Sequence, residues 1–229
     1  MPRFKPTFRL DTITEAATDA FARHGFRRTQ MAHVAQSSQV SPGTMYLYVT
    51  SKNALFELAL LRALGDPRLF DPGLPFAGSP RTVLVDRVTE LLEEVAQFPE
   101  LWIAAQRRQV INTPLEYGGI TGELFEWAVR HRRTLALIDR CAADWPEVAH
   151  AMQRQVERPW VAHATEFLVD RSTRTQPGGI PEPSSAAAFL YESARRWASL
   201  TATQGWPEQD TRRAGQGVAA LLGGKFLHA

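Results

Sequence analysis

Few side chains in this sequence are spaced for catalysis. The histidines are His24, His33, His131, His150, His163 and His228, and no pair of them forms H-E-x-x-H. That spacing would put two imidazoles on one helical face of a zinc site. Cys141 is the only cysteine, so neither a cysteine-based structural zinc site nor an intrachain disulfide can form. There is no G-x-S-x-G, no P-loop and no G-x-G-x-x-G, and Glu93-Glu94 and Asp170-Arg171 read as helix surface. No catalytic residue, metal or cofactor is assigned. The residue types that stand out are suited to contact. They lie in Ser38–Lys52, SQVSPGTMYLYVTSK, where hydroxyls, two tyrosines and a leucine crowd together.

A helix must position them. Ser41 is a good N-cap, and Pro42 suits the first helical position because its missing N–H would be unpaired there anyway. A helix is therefore expected from about Pro42 to Val49, with its open N-terminus suited to a phosphate. On a wheel of 100° per residue Met45 and Val49 fall together as the buried edge. Leu47 points away from them, Thr44 and Tyr48 share one flank, and Tyr46 lies on the other. The outward face is then Gly43, Thr44, Leu47 and Tyr48. Hydroxyls with an apolar tip suit base edges, including a thymine methyl. The same residues could instead pack on a neighbouring domain. The open helix end, a basic setting and Lys52 at the start of another helix favour DNA over packing.

The surrounding pattern is helical. Leu10, Ile13, Ala17, Ala20 and Phe21 mark a helix over Thr7 to His24, ended by Gly25. Thr29 is placed to cap a second short helix through Val34 and Ala35, and Val40 plugs the turn. Two short helices joined by a tight turn make a helix-turn-helix. A fourth helix begins near Thr50 or Ser51 and carries Leu55, Phe56, Ala59 and Leu60. GDPRLFDPGLPFAGSP (65–80) breaks it and marks a connector or boundary. Helical stripes then resume over Leu84–Phe98, from Pro99 to about Thr113-Pro114, over Glu123–Ala143 and over Pro146–Ser172. A kink or break is expected at Pro159. Two final helices are expected at about 185–203 and 207–227.

Charge is unevenly spread. Residues 1–62 hold eight basic and four acidic side chains, against 18 basic and 20 acidic in the rest. A basic head on a near-neutral body points to an anionic partner at the N-terminal end. No apolar run approaches the ~18–20 residues of a membrane span. MPRFKPTFRL lacks the apolar core of a secretory signal. With its single cysteine, the chain is expected to be cytoplasmic.

The pattern Phe21-x3-Gly25-Phe26-x2-Thr29, Val34-Ala35, Val40-Ser41-x-Gly43-Thr44-x-Tyr46-x-Tyr48-Val49-x-Ser51-Lys52-x2-Leu55 resembles the DNA-binding head of TetR-family transcriptional regulators, over residues 9–60. The resemblance implies an all-α chain. Residues 1–62 would form a three-helix helix-turn-helix domain, and residues 63–229 a larger helical bundle domain of the TetR-regulator type for ligand binding and dimerisation. It implies a homodimer that places Pro42–Val49 in the major groove of a palindromic operator in double-stranded DNA, by family default as a repressor released by a small-molecule effector. Carried over residue by residue, Thr44, Leu47 and Tyr48 match positions that touch bases or nearby backbone. Thr29, Tyr46, Ser51 and Lys52 match positions near phosphates, with Ser41, Pro42 and Gly43 at the helix start. Gln39 stands where the turn usually carries glycine. Either it takes the left-handed conformation, at about 1–2 kcal/mol, or the turn differs and re-aims the reading helix.

The family precedent is an effector cavity in the body. Its candidate lining is Trp102, Gln106, Gln109, Tyr117, Phe125, Trp127, Met152, Trp160 and Trp197, and for any single apolar one of these plain core is the favoured reading. The dimer interface is expected on the last two helices, through Phe189, Leu190, Trp197, Val218, Leu221, Leu222 and Phe226. Two other functional classes stand beside this one: a helical sensor or interaction protein that has lost specific DNA binding, and an all-helical enzyme acting on a hydrophobic substrate. The enzyme would need acidic clusters facing a cavity, and the sequence offers no convincing one.

Overall fold

The computed structural model describes residues 7–70, 73–107, 113–175, 182–213 and 216–217. Among these residues the fold is all-helical, and the sole β contact is an isolated parallel bridge between Val49 and Phe76. The helices are α1 (Thr7–Arg28), α2 (Met31–Ser37), α3 (Pro42–Met45), α4 (Lys52–Leu64), α5 (Arg81–Val95), α6 (Pro99–Gln106), α7 (Thr113–Arg130), α8 (Arg132–Cys141), α9 (Pro146–Met152), α10 (Arg158–Thr175) and α11 (Pro183–Gln204). Residues 208–213 are also helical. The chain forms two compact units, one of Met1–Leu92 with Ala136–Ala151, the other of Glu93–Leu135 with Met152–Ala229.

The first unit is organised by α4. Nine of its thirteen residues are buried, from Ala54 to Leu61 and Leu64, so it is apolar nearly all round, as a central helix must be. It packs against α1, whose Ile13, Ala17 and Phe21 are also buried. Gly65, the first residue of the expected 65–80 break, ends α4 in the left-handed conformation. The 65–80 connector then folds back onto the helix. Ser79 donates its N–H and hydroxyl to the buried Glu57 carboxylate at 2.6 and 2.7 Å. Gly78 has φ +78, and a Cβ there would lie 3.1 Å from Ala54, so glycine is needed for this approach.

The second unit packs α10 on α11 and α6, and α7 on α6 and α11. The Phe98 N-cap of α6 makes no side-chain cap. Glu123 of α7 caps the helix from a distance instead, accepting from the Glu100 and Leu101 N–H groups at 2.9 and 3.2 Å.

Four sequence expectations need correction here. The expected helix over Glu123–Ala143 is two helices, α7 and α8, and α7 starts ten residues earlier, at Thr113. Gly118, Gly119 and Gly122 weaken the helical pattern in that stretch but do not break the helix. The interruption near Pro159 falls before it, as a π-helical turn over Gln153–Glu157. Pro159 has no N–H for the Gln155 carbonyl, and Arg158 N–H reaches back five residues to the Gln153 carbonyl. Arg171, read as surface, is buried. Its guanidinium donates to Glu116 at 2.8 Å and to the Ala104 carbonyl at 3.1 Å, tying α10 to α7 and to the end of α6. Thr29 does not cap α2, whose N-cap is Gln30. The Thr29 hydroxyl bonds back to the Gly25 and Ala20 carbonyls at 2.8 and 3.2 Å.

Candidate nucleic-acid interface

The helix-turn-helix is built from α2 and α3, which pack on one another and, through α2, on α1. Val34 and Ala35 are buried, as the sequence predicts. The turn between the helices puts Gln39 at φ 56, so of the two alternatives the left-handed one holds. Val40 N–H then bonds the Ala35 carbonyl at 2.9 Å. Ser41 caps α3, with Thr44 N–H on its Oγ at 3.1 Å and the two hydroxyls 2.8 Å apart. Ser51 caps α4 in the same way, through Ala54 N–H at 3.1 Å. Each such cap contributes about 1 kcal/mol.

The reading helix is shorter than expected, ending at Met45. Beyond it Leu47 N–H bonds the Thr44 carbonyl and Tyr48 N–H the Met45 carbonyl, both three residues back and both at 3.0 Å. In a three-residue turn, side chains three apart eclipse. Tyr48 therefore follows Met45 inward, while Tyr46 swings out after Gly43. The wheel at 100° per residue put the two tyrosines the other way round. Tyr48 is 2% exposed, and Tyr46 and Leu47 are 53% and 52% exposed. Met45 and Val49 are buried as expected. The outward group is Ser41, Pro42, Gly43, Tyr46 and Leu47, with Thr44 half-buried beside them. Backbone pairing with Phe76 fixes the far end: Phe76 N–H bonds the Tyr48 carbonyl at 2.8 Å, and Thr50 N–H the Phe76 carbonyl at 3.0 Å.

Lys52 is committed within the head. Its Nζ donates to the Arg27 carbonyl at 3.1 Å and sits 4.7 Å from the Phe26 ring centroid. Thr29 is buried. Thr29 therefore does not reach the outer surface, and the half-buried Lys52 has partners within the head.

The second unit brings together only part of the expected cavity lining. Trp127 and Trp160 both contact Phe98, at 5.3 and 6.5 Å between centroids, and Trp160 contacts Tyr191 at 5.9 Å. Phe98 and Tyr191 were not among the expected lining residues, although Phe98 ends the apolar stripe of α5. Tyr117, Phe125 and Met152 are buried, Trp102 and Trp197 half-buried, and Gln106 exposed. Gln109 lies outside the described residues. Burial pushes the Tyr117 hydroxyl up to about 12. Burial, aided by Arg130, pushes His131 down to about 4. Both are therefore neutral at pH 7. On α11 Phe189 is 62% exposed, and Leu200 is also outward. Leu190 is already buried in its own chain, turned about 100° round the helix from Phe189. Val218, Leu221, Leu222 and Phe226 lie outside the described residues.

A basic three-helix head that holds two adjacent apolar side chains outward at the end of a capped turn has the build of a helix-turn-helix domain. The model of the bacterial regulatory proteins of the tetR family matches residues 13–59. Over those residues the chain is similar to that family. Among solved structures the chain is similar to a TetR-like transcriptional regulator from Rhodococcus sp. RHA1, at 15% identity and TM-score 0.47, covering 95% of this chain and 96% of that one. It is also similar to the fatty acid degradation regulator FadR from Bacillus halodurans, at 11% identity and TM-score 0.41, with 95% and 96% covered. A third, Salmonella enterica GusR, has 21% identity and TM-score 0.35, with 95% and 96% covered. No curated protein matches. The family match lies in the head.

Proposed function

We propose that the protein is a cytoplasmic ligand-responsive repressor. It binds a palindromic operator as a homodimer, with Pro42–Tyr48 of each copy in a major groove. A small, largely apolar molecule held in the body releases it. Residues 1–62 carry the DNA contacts, and residues 63–229 carry effector binding and dimerisation. The observation that carries the DNA reading is the adjacent exposed pair Tyr46 and Leu47. Two large apolar side chains held in water side by side fit a partner surface better than a solvated one. The neutral aromatic group around Phe98, Trp127 and Trp160 supports an apolar effector. Exposed Phe189 and Leu200 on α11 support a two-fold helical interface.

Selection of bound duplexes from a random-sequence pool by the full-length protein tests this reading. The expected product is an inverted repeat whose half-sites lie about one helical turn apart. A pool that never departs from random would sink it. Tyr46→Ala and Leu47→Ala should each lower affinity for the selected duplex by about tenfold or more while leaving stability within about 0.5 kcal/mol. Tyr48→Ala, which empties a buried site, should instead cost about 2–4 kcal/mol in denaturant unfolding.

A further inference from the structure

The end of α1 is gripped by the corner that joins α8 to α9. Arg140 Nε donates to the Arg23 carbonyl at 3.1 Å, and the Cys141 thiol lies 3.8 Å from the Phe21 carbonyl oxygen. Arg27 Nε donates to Asp144 Oδ1 at 2.6 Å. Between these contacts sits Trp145, 5% exposed. Its ring stacks on Phe56 at 4.8 Å and 22°, and meets Phe26 edge-on at 5.9 Å. The Arg81 guanidinium lies over it at 4.3 Å. With Phe56 on one face and Arg81 over the ring, both faces of the indole are occupied.

We propose that Trp145 is a positioning residue for DNA binding. It would set the direction in which α2 leaves α1, and so the aim of Tyr46 and Leu47. The proposal rests on the reading-face assignment above. The α1 axis breaks at Gly25, φ 78 and ψ 171. From there only Phe26 to Gln30 lead into α2. Trp145 and Asp144 hold Phe26 and Arg27 in that short segment, from more than a hundred residues away in sequence. A seven-residue helix is about 10 Å long, so a tilt of about 10° at its start moves its far end by nearly ~2 Å. Base-edge contacts do not survive such a shift, whereas contacts to a uniformly charged backbone do. The seat is not enclosed by solid core. Phe26, Arg27, Asp144 and Trp145 also line a cleft of about 250 Å³.

The test uses the full-length protein, the duplex that the wild type enriches, and a random-sequence duplex as the comparison probe. Folding of each variant is checked by circular dichroism well below its unfolding midpoint. Trp145→Leu keeps an apolar side chain but removes the ring. It should lower affinity for the selected duplex at least about tenfold and for the random duplex less than about threefold. Trp145→Phe, which keeps a ring on Phe56, should recover most of the loss. Equal losses on both duplexes, or undiminished selective binding by folded Trp145→Leu, overturn the proposal. If Trp145→Leu does not fold, Asp144→Asn loosens Arg27 without touching the core. It should lose about threefold on the selected duplex alone, and an unselective or absent effect overturns the proposal equally. A wild type that enriches no sequence sinks the reading-face assignment instead, before any variant is made.

Discussion

The two ends of α2 are both made with a residue at positive φ, yet they are held differently. At the entry Gly25 has φ 78, and a Cβ there would lie 3.0 Å from the Arg140 carbonyl oxygen. The segment after it is pinned by Lys52, Asp144, Trp145 and the Thr29 hydroxyl. At the exit Gln39 has φ 56, its side chain is exposed, and the grip is local, through backbone bonds to Gln36 and Ala35. The entry requires glycine for two reasons, conformation and space. The exit would prefer glycine for conformation alone. Positive φ by itself therefore says little about how a turn tolerates change, and the neighbours decide.

Three substitutions press on that contrast. Gly25→Ala should be the most damaging, because φ and ψ near 78° and 171° suit glycine almost alone and the new methyl meets backbone. The expected loss is about 3 kcal/mol or more in denaturant unfolding. A loss below about 1 kcal/mol would show that the entry is no tighter than the exit. Lys52→Ala removes a cation from the Phe26 ring and a donor from the Arg27 carbonyl, and should cost about 1 kcal/mol. Because the ammonium already has partners on the head, the dependence of DNA affinity on salt should hold its slope. A slope smaller by about 1 would return Lys52 to the phosphates. Gln39→Gly should stabilise slightly, by about 0.5 kcal/mol, since relief of strain is partly offset by a more flexible unfolded chain. Destabilisation would mean that the Gln39 side chain makes a contact worth more than its strain.

Much of the head was legible because its signals are local. Gly25 as a break, Ser41 and Pro42 as a start, and Met45 and Val49 as the buried edge follow from capping and short-range periodicity. The exchange of Tyr46 and Tyr48 was not legible from a single wheel. The period changes from 3.6 to 3 at Met45, where the helix stops, and nothing in PGTMYLYV announces the stop. Arg171 was misread because an arginine on an amphipathic helix is ordinarily solvated. Its burial depends on Glu116 and on the Ala104 carbonyl near the end of α6, which are long-range facts. Trp145 went unremarked for the same reason. Its signal was an indole in a short turn, directly before the proline that starts α9, where a polar residue is usual.

The early end of α3 has a consequence for how this protein can diverge. Tyr46 and Leu47 lie past the last helical residue and about half of each side chain faces outward, so helix propensity and core packing restrict what stands there less than at Met45 or Tyr48. The buried partners that hold the turn, Met45, Tyr48 and Val49, are distinct residues. On the proposed reading, preference for a DNA sequence can then drift by replacement at two adjacent codons while the scaffold stays unchanged. Duplicated copies of such a gene could part company in their targets before they differ in stability.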